Sequence, residues 1–418
     1  MPDYQLVALV RSRVAERLTA EARSRVAAGL APSAAGEEEE LARQFTADAV
    51  AAHVGDRLAT GTPAPSAAER HELGEAVHAA MFLMGRLQPF LDAEDINNVV
   101  IHGAESAVIE WADGRVEVVA SPFETDEELE AEVQGLASRR GRTERRFDWA
   151  NPRLDMRLPD GSRLTALTSI AHRPTIVLRR HRFVDLSLDD LLKLGTIDLA
   201  LQGLLSAAVA ARHNILVAGG TNVGKTTFLR ALLALADPDE HLVTIETSLE
   251  LGLHNLPDRH RNVTALEARQ PNAEGVGSID VHALTEWSAR LNPDRMVVGE
   301  VLGDEAGAML RALAAGADGS MTTLHARRSD AVARRLASYV AQSAHPLPVR
   351  DTIDLIADAV DLVVFLAFAR DDQGRRRRVV ASVREVVGAA DGVLETNELF
   401  RPGRDGRAVP TGLRPRCA

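Results

Sequence analysis

Residues 214–235 constrain this chain more than any other stretch. An apolar run at 215–218 leads directly into Gly219-Gly220-Thr221-Asn222-Val223-Gly224-Lys225-Thr226, and an apolar segment with helical spacing follows at 227–235. The octet fits G-x-x-x-x-G-K-[ST] in full, and in its strand-then-helix setting. Glycines let such a loop wrap an anion so that backbone N–H groups converge on it, and the N-terminus of the following helix adds positive potential. The lysine reaches the β- and γ-phosphates of a nucleotide, and the hydroxyl after it serves Mg2+. Gly219, Gly220, Thr221, Asn222, Val223, Gly224, Lys225, Thr226 and Thr227 are therefore the expected ATP site, with Thr226 toward the metal. Lys193 and Lys225 are the only lysines in the chain, so arginine carries nearly all positive charge and a lysine kept inside this loop is informative.

A loop of this kind needs a sheet around it. Apolar runs at 215–218, 242–245, 296–298, 320–324 and 360–366 alternate with helical segments, the pattern of a parallel or mixed sheet covered on both faces. This α/β domain is expected over 186–400. Upstream, 69–185 reads as a smaller α+β domain: helix at 72–91, short alternating segments at 98–102, 107–111 and 116–120, helix at 126–140, and a strand at 175–179. Asp113-Gly114 and Pro159-Asp160-Gly161 mark hairpin turns. Residues 1–68 read as a helical extension and linker: Leu6, Leu9, Val10, Val14 and Leu18 recur at helical spacing, and Glu37 to Glu40 form the acidic first turn of a second helix. Residues 401–418, rich in Pro, Gly and Arg, are expected to form a flexible tail.

The net charge of −12 argues against nucleic acid as the main partner, because phosphate neutralisation needs a basic face. The one basic cluster, Arg375 to Arg378, follows Asp371-Asp372-Gln373-Gly374 and reads as a hairpin turn with solvated charge. A single cysteine, Cys417, excludes an intramolecular disulfide framework and fits a reducing compartment. No apolar run approaches the roughly 18–20 residues of a membrane span, so membrane association is expected to be peripheral.

Three more segments carry candidate chemistry. The run at 296–298 ends in Gly299-Glu300, a carboxylate at a strand's C-terminal end, where an acid can meet metal and attacking water. The strand at 243–245 runs into Glu246-Thr247-Ser248-Leu249-Glu250, where either acid could polarise water or hold Mg2+, or the turn could be merely solvated. Residues 319–325 place His325 at another strand end, where a histidine is more often structural than functional.

In this order, the four segments resemble the type II/IV secretion ATPase superfamily, and within it the branch that drives tight-adherence (Flp-type) pilus assembly. Residues 215–227 match the Walker A segment, 243–251 the acidic box, 294–301 Walker B and 319–326 the histidine box. Residues 157–163 (Arg-Leu-Pro-Asp-Gly-Ser-Arg) resemble the family's N-domain segment, and 176–183 its domain junction. The resemblance implies a RecA-like P-loop ATPase domain preceded by a PAS-like domain, and a homo-hexameric ring at the cytoplasmic face of the membrane. It implies ATP hydrolysis with Mg2+, coupled to an inner-membrane platform protein and, through it, to pilin or a secreted substrate. Glu250 then activates water, and Glu300 serves Mg2+ directly or through water. Lys225 and His325 address the γ-phosphate, and Arg157, Arg163, Arg179 and Arg180 reach the nucleotide. Three positions depart from the family pattern: Thr247 replaces an aspartate, Leu302 an arginine, and Asn222-Val223 stand where Gly and Ser are preferred. These departures keep a second reading open, a nucleotide-binding scaffold with little turnover; within the family, a conjugation-type (type IV secretion) ATPase is the closest alternative.

Overall fold

The computed structural model describes residues 2–31, 33–140, 146–158, 160–180, 186–269, 271, 275–370, 374 and 376–416. Pro159 of the expected hairpin, the junction residues 181–185, residues 371–373 and Arg375 of the basic turn, and Cys417 lie outside the described residues. The chain forms two compact units, Met1–Arg182 and Phe183–Ala418.

The first unit opens with three helices, α1 (Tyr4–Ala27), α2 (Ala35–Ala59) and α3 (Ala67–Phe82). Asp3 caps α1 by accepting from the N–H groups of Gln5 and Leu6, and Ser66 with Glu69 forms a capping box on α3. Val10 and Val14, picked out by helical spacing, are buried with Val7, Val50 of α2 and Leu73 and Val77 of α3. The helical part thus continues past residue 68, because α3 closes the small core that α1 and α2 leave open. Arg86 fastens α1 to the α+β part of the unit: its guanidinium lies 4.3 Å from the Tyr4 ring centroid and donates to the Pro122 carbonyl and the Glu128 carboxylate.

Next come α4 (Gln88–Asp92), β1 (Ile96–His102), β2 (Ser106–Trp111), β3 (Val116–Ala120), α5 (Asp126–Arg140), β4 (Arg153–Arg157), β5 (Arg163–Leu167) and β6 (Thr175–Arg179). The strands form one antiparallel sheet in the order β3-β2-β1-β6-β5-β4. Alternate residues, among them Val99, Ile101, Leu164, Ile176 and Leu178, are buried in one core with Leu129, Val133 and Leu136 of α5. The intervening residues occupy the opposite face, which is more exposed.

The second unit contains α6 (Leu188–Lys193), α7 (Leu199–Ala210), β7 (Ile215–Gly219), α8 (Lys225–Leu233), β8 (Leu242–Glu246), β9 (Val263–Glu267), α9 (Val281–Ser288), β10 (Arg295–Val301), α10 (Glu305–Ala314) and β11 (Met321–His325). It continues with α11 (Val332–Gln342), α12 (Val349–Ala359), β12 (Leu362–Arg370), β13 (Arg376–Ala390), β14 (Val393–Pro402) and β15 (Ala408–Pro410). The sheet order is β15-β14-β13-β12-β7-β11-β10-β8-β9, parallel from β12 to β9 and antiparallel beyond β12. Two apolar cores, one including Leu205 and Phe228 and the other including Met309 and Leu336, pack on its faces.

Two expectations are corrected here. The tail is not loose: β15 pairs with β14, Ala408 is buried, and the Thr411 N–H donates to the Leu399 carbonyl at 3.0 Å. Gly403 and Gly406 make the turn between the two strands. Arg376 to Arg378, expected in a solvated turn, instead open β13, with Phe368 directly opposite Arg378 in the ladder.

A polar network fastens the N-terminal ends of the parallel strands. Arg295, 2% exposed at the start of β10, donates to the Glu240 carboxylate and to the carbonyls of Gly319 and Val209. Gly319 must lack a side chain there, since a Cβ would lie 2.5 Å from the Arg295 guanidinium. Asn214, before β7, donates to the Ala359 carbonyl and accepts from the Ser320 N–H, which joins the bases of β7, β11 and β12.

Candidate functional site

β7 is buried at every position, as a strand flanked by parallel neighbours and covered on both faces must be. Its last residue leaves no room for a side chain: a Cβ on Gly219 would sit 2.5 Å from the Leu366 carbonyl oxygen of β12. The loop then turns through Asn222 at φ 61° and Gly224 at φ 91°, left-handed conformations that asparagine tolerates and glycine suits. α8 begins at Lys225, which brings a helix N-terminus to the C-terminal edge of the sheet.

The strand order sets β11 beside β7 and β10 beside β11, and it thereby collects the predicted residues. Lys225 is buried; its Nζ donates to the Gly220 carbonyl at 3.1 Å and lies 3.2 Å from His325 Nδ1 and 3.9 Å from Glu300 Oε1. His325 Nε2 is 2.8 Å from the same Glu300 oxygen. The strand ends are cross-tied: Thr323 Oγ1 donates to the Gly299 carbonyl at 2.7 Å, and the Ala326 N–H to the Gly219 carbonyl at 3.1 Å. His325, which composition alone would class as structural, therefore stands in register with Gly219 and bridges Lys225 and Glu300.

β8 adds the acidic loop and separates its two carboxylates. Glu246 is buried, and its Oε2 accepts the backbone N–H groups of Glu250 at 2.7 Å and Leu251 at 2.8 Å. Gly299 of β10 makes room for it, since a Cβ there would lie 2.9 Å from Glu246 Cγ. Glu246 thus shapes the turn, while Glu250 is half-buried on the loop at the same sheet edge. Thr247 is exposed. Leu302 is 51% exposed, and its N–H and that of Gly303 donate to the Glu305 carboxylate.

In the first unit, Arg157 pairs with Arg163 and Arg163 with Arg179 across β4, β5 and β6. Three arginines in consecutive cross-strand positions concentrate positive charge on one face, which suits an anion. Arg180 is not in this row: the next residue along extended backbone turns the other way, and its guanidinium donates to the Ala93 carbonyl. The structure therefore gives Arg180 a bracing contact with the segment before β1.

The donors suit Mg2+, which takes few protein ligands and shares the rest with phosphate and water. The Thr226 hydroxyl in the first turn of α8 and the Glu300 carboxylate at the end of β10 would hold it.

Sequence reasoning missed Arg378 of β13, whose Nε donates to the Asn222 carbonyl of the loop at 3.2 Å. No signal could have found it in so arginine-rich a chain, because the contact depends on the β12–β13 pairing.

Fold and site together define a P-loop nucleotide-binding protein. The chain belongs to the family "Type II/IV secretion system protein", whose model matches residues 85–406. It is 34% identical over 345 residues to a protein of Mycobacterium tuberculosis (strain ATCC 25618 / H37Rv) whose name assigns it to conjugal transfer, covering 80% of this chain and 94% of that one. VirB11 of Agrobacterium fabrum (strain C58 / ATCC 33970) is 35% identical over 166 residues, 39% of this chain and 46% of VirB11. The fold is shared with the Legionella pneumophila ATPase DotB, at 15% identity and a TM-score of 0.50, over 73% of this chain and 81% of that one. Among the described residues no helix is long and apolar enough to cross a membrane.

Proposed function

We propose that this chain is an ATP-hydrolysing subunit of a homo-hexameric motor that powers pilus assembly or secretion. The observation that carries the reading is the convergence of Lys225, Glu300 and His325 at the P-loop. Lys225 neutralises charge on the β- and γ-phosphates, and His325 contacts the γ-phosphate. Mg2+, when bound through Thr226 and Glu300, supplies further neutralisation of the phosphate oxygens. Glu250 takes a proton from the attacking water as the new P–O bond forms and the bond from γ-phosphorus to the ADP oxygen breaks, giving ADP and phosphate. Arg157, Arg163 and Arg179 bind phosphate oxygens with planar forks. The purified chain with Mg-ATP is expected to release phosphate, and Lys225→Ala or Glu250→Ala to abolish release. Nucleotide binding without turnover in the unmutated chain would overturn the motor in favour of an assembly scaffold.

Within the family we infer the tight-adherence pilus branch, working against an inner-membrane platform protein from the cytoplasmic side. The likeness of the four ordered boxes and of residues 157–163 to that branch supports it. A second reading, a conjugation-type ATPase, draws on the relatives named for conjugal transfer and on VirB11. Deleting the gene separates the two: loss of surface pili supports the first, and loss of DNA transfer with pili intact supports the second.

A further inference from the structure

β12 and β13 run past the end of β7 and form a wall beside the P-loop. Leu366 of β12 is in register with Gly219, so residues 367–370 and their partners on β13 overhang the loop. Three contacts occur on that overhang. Arg378 Nε donates to the Asn222 carbonyl at 3.2 Å. Its Cδ lies where Gly224 has no side chain, 3.3 Å from the position a Cβ would take. The Phe368 ring, opposite Arg378 in the ladder, has the Arg376 guanidinium 3.4 Å and that of Arg378 5.7 Å from its centroid.

We infer that Arg378 is a positioning residue for nucleotide binding: it grips the P-loop from outside and holds the Asn222–Gly224 turn in the shape that receives phosphate. The turn needs a grip because two of its three residues, Asn222 and Gly224, are left-handed, and Asn222 is not glycine. Asn222 is also one of the positions at which the loop departs from the family pattern, so the arginine braces the residue that departs. Phe368 stacks closely with Arg376 and bounds the space beside Arg378, whose guanidinium is 5.7 Å from the ring centroid, so the freedom Arg378 loses on bonding the loop is small. A loop held in its binding shape binds more tightly than one that must be ordered by the ligand. The inference rests on the reading of residues 219–227 as a nucleotide site and goes beyond it.

The test is calorimetric titration of the full chain with Mg-ADP, for the unmutated protein, Arg378→Ala, Arg378→Lys and Phe368→Leu. Arg378→Ala is expected to weaken binding roughly tenfold, equivalent to about 1.4 kcal/mol. Arg378→Lys, which keeps a donor but loses the planar fork, should fall between the two, as should Phe368→Leu. Because Arg378 is exposed, the thermal midpoint of the nucleotide-free protein should hold, which a merely structural residue would not allow. In steady-state assays KM should rise far more than kcat falls. Equal ADP affinity in the unmutated chain and Arg378→Ala overturns the inference and leaves the nucleotide site standing. A fall confined to kcat also overturns it, by making Arg378 part of the chemistry. An unmutated chain that binds no ADP overturns both readings.

Discussion

Glu246 is the side chain whose replacement separates holding the site from working in it. It is 3% exposed, and a single carboxylate oxygen accepts both the Glu250 and Leu251 N–H groups. Hydrogen bonds to a charged group contribute about 1.5–3 kcal/mol each, and a buried N–H left without an acceptor costs about 1–3 kcal/mol. In Glu246→Gln the amide oxygen can stand where Oε2 stood, so both donors stay satisfied and the lost charge costs about 1 kcal/mol. Glu246→Ala removes the Leu251 acceptor and one of two from Glu250, whose N–H keeps the Ser248 carbonyl at 2.6 Å, and leaves a void against Gly299, for about 2–4 kcal/mol in all. In a unit of this size each kcal/mol lowers the thermal midpoint by about 2–4 °C. Scanning calorimetry should therefore show a drop of about 2–4 °C for the glutamine variant and of roughly 10 °C for the alanine variant. Phosphate-release assays should follow the same order. Glu246→Gln keeps most of kcat, whereas Glu246→Ala lets Glu250 drift and loses about 100-fold, the typical penalty for a displacement near 1 Å. A folded Glu246→Gln as inactive as Glu246→Ala would refute the reasoning, because the charge itself would then act on substrate. So would a Glu246→Ala midpoint within about 1 °C of the unmutated chain.

Other perturbations test separate parts of the molecule. Arg163 stands between Arg157 and Arg179, so Arg163→Gln should lower ATP turnover in a phosphate-release assay. Glu240→Ala strands the buried Arg295 guanidinium and should cost about 3–5 kcal/mol in denaturant unfolding, far more than loss of an exposed pair such as Arg261 with Asp239. Asp190 is held down to about 2 from its ordinary 3.8 by the Ser187 hydroxyl and backbone N–H, with help from Lys193. A depressed carboxylate stabilises the fold above pH 3.8 and loses that contribution as the pH falls through about 2, so Asp190→Asn should remove this acid-dependent part of α6 stability; amide-exchange rates across that window report it.

Much of the second unit was legible because its central strands are buried on both faces and read as unbroken apolar runs. β7, β8 and β11 start where those runs start, within a residue. β9 escaped notice: Val263-Thr264-Ala265-Leu266-Glu267 is an edge strand, partly exposed, with no clean period of two. β14 and β15 were masked by composition, since Pro402, Gly403 and Gly406 read as disorder although they make a turn between paired strands. The site divides in the same way. Lys225 was visible in the phosphate-loop motif and Glu300 and His325 as strand-end residues, and the parallel strand order brought them together. What Glu246 does as opposed to Glu250, and what Arg180 does as opposed to Arg179, depends on which way each side chain leaves the backbone. Spacing along the sequence cannot supply that where a strand gives way to a loop.

The network of Arg295, Glu240 and Asn214 has a mechanical consequence. It pins the parallel strands at the ends remote from the phosphate loop, and a pinned end serves as a fulcrum. Displacement of the loops at the far ends is then a fanning of strands about a fixed base, largest at Gly219, Glu300 and His325 and smallest at Arg295. Small shifts in the spacing of those three residues would be shared by every strand tied at the base. A chemical event at one strand tip is thereby geared to the four strands tied at that base, β7, β10, β11 and β12.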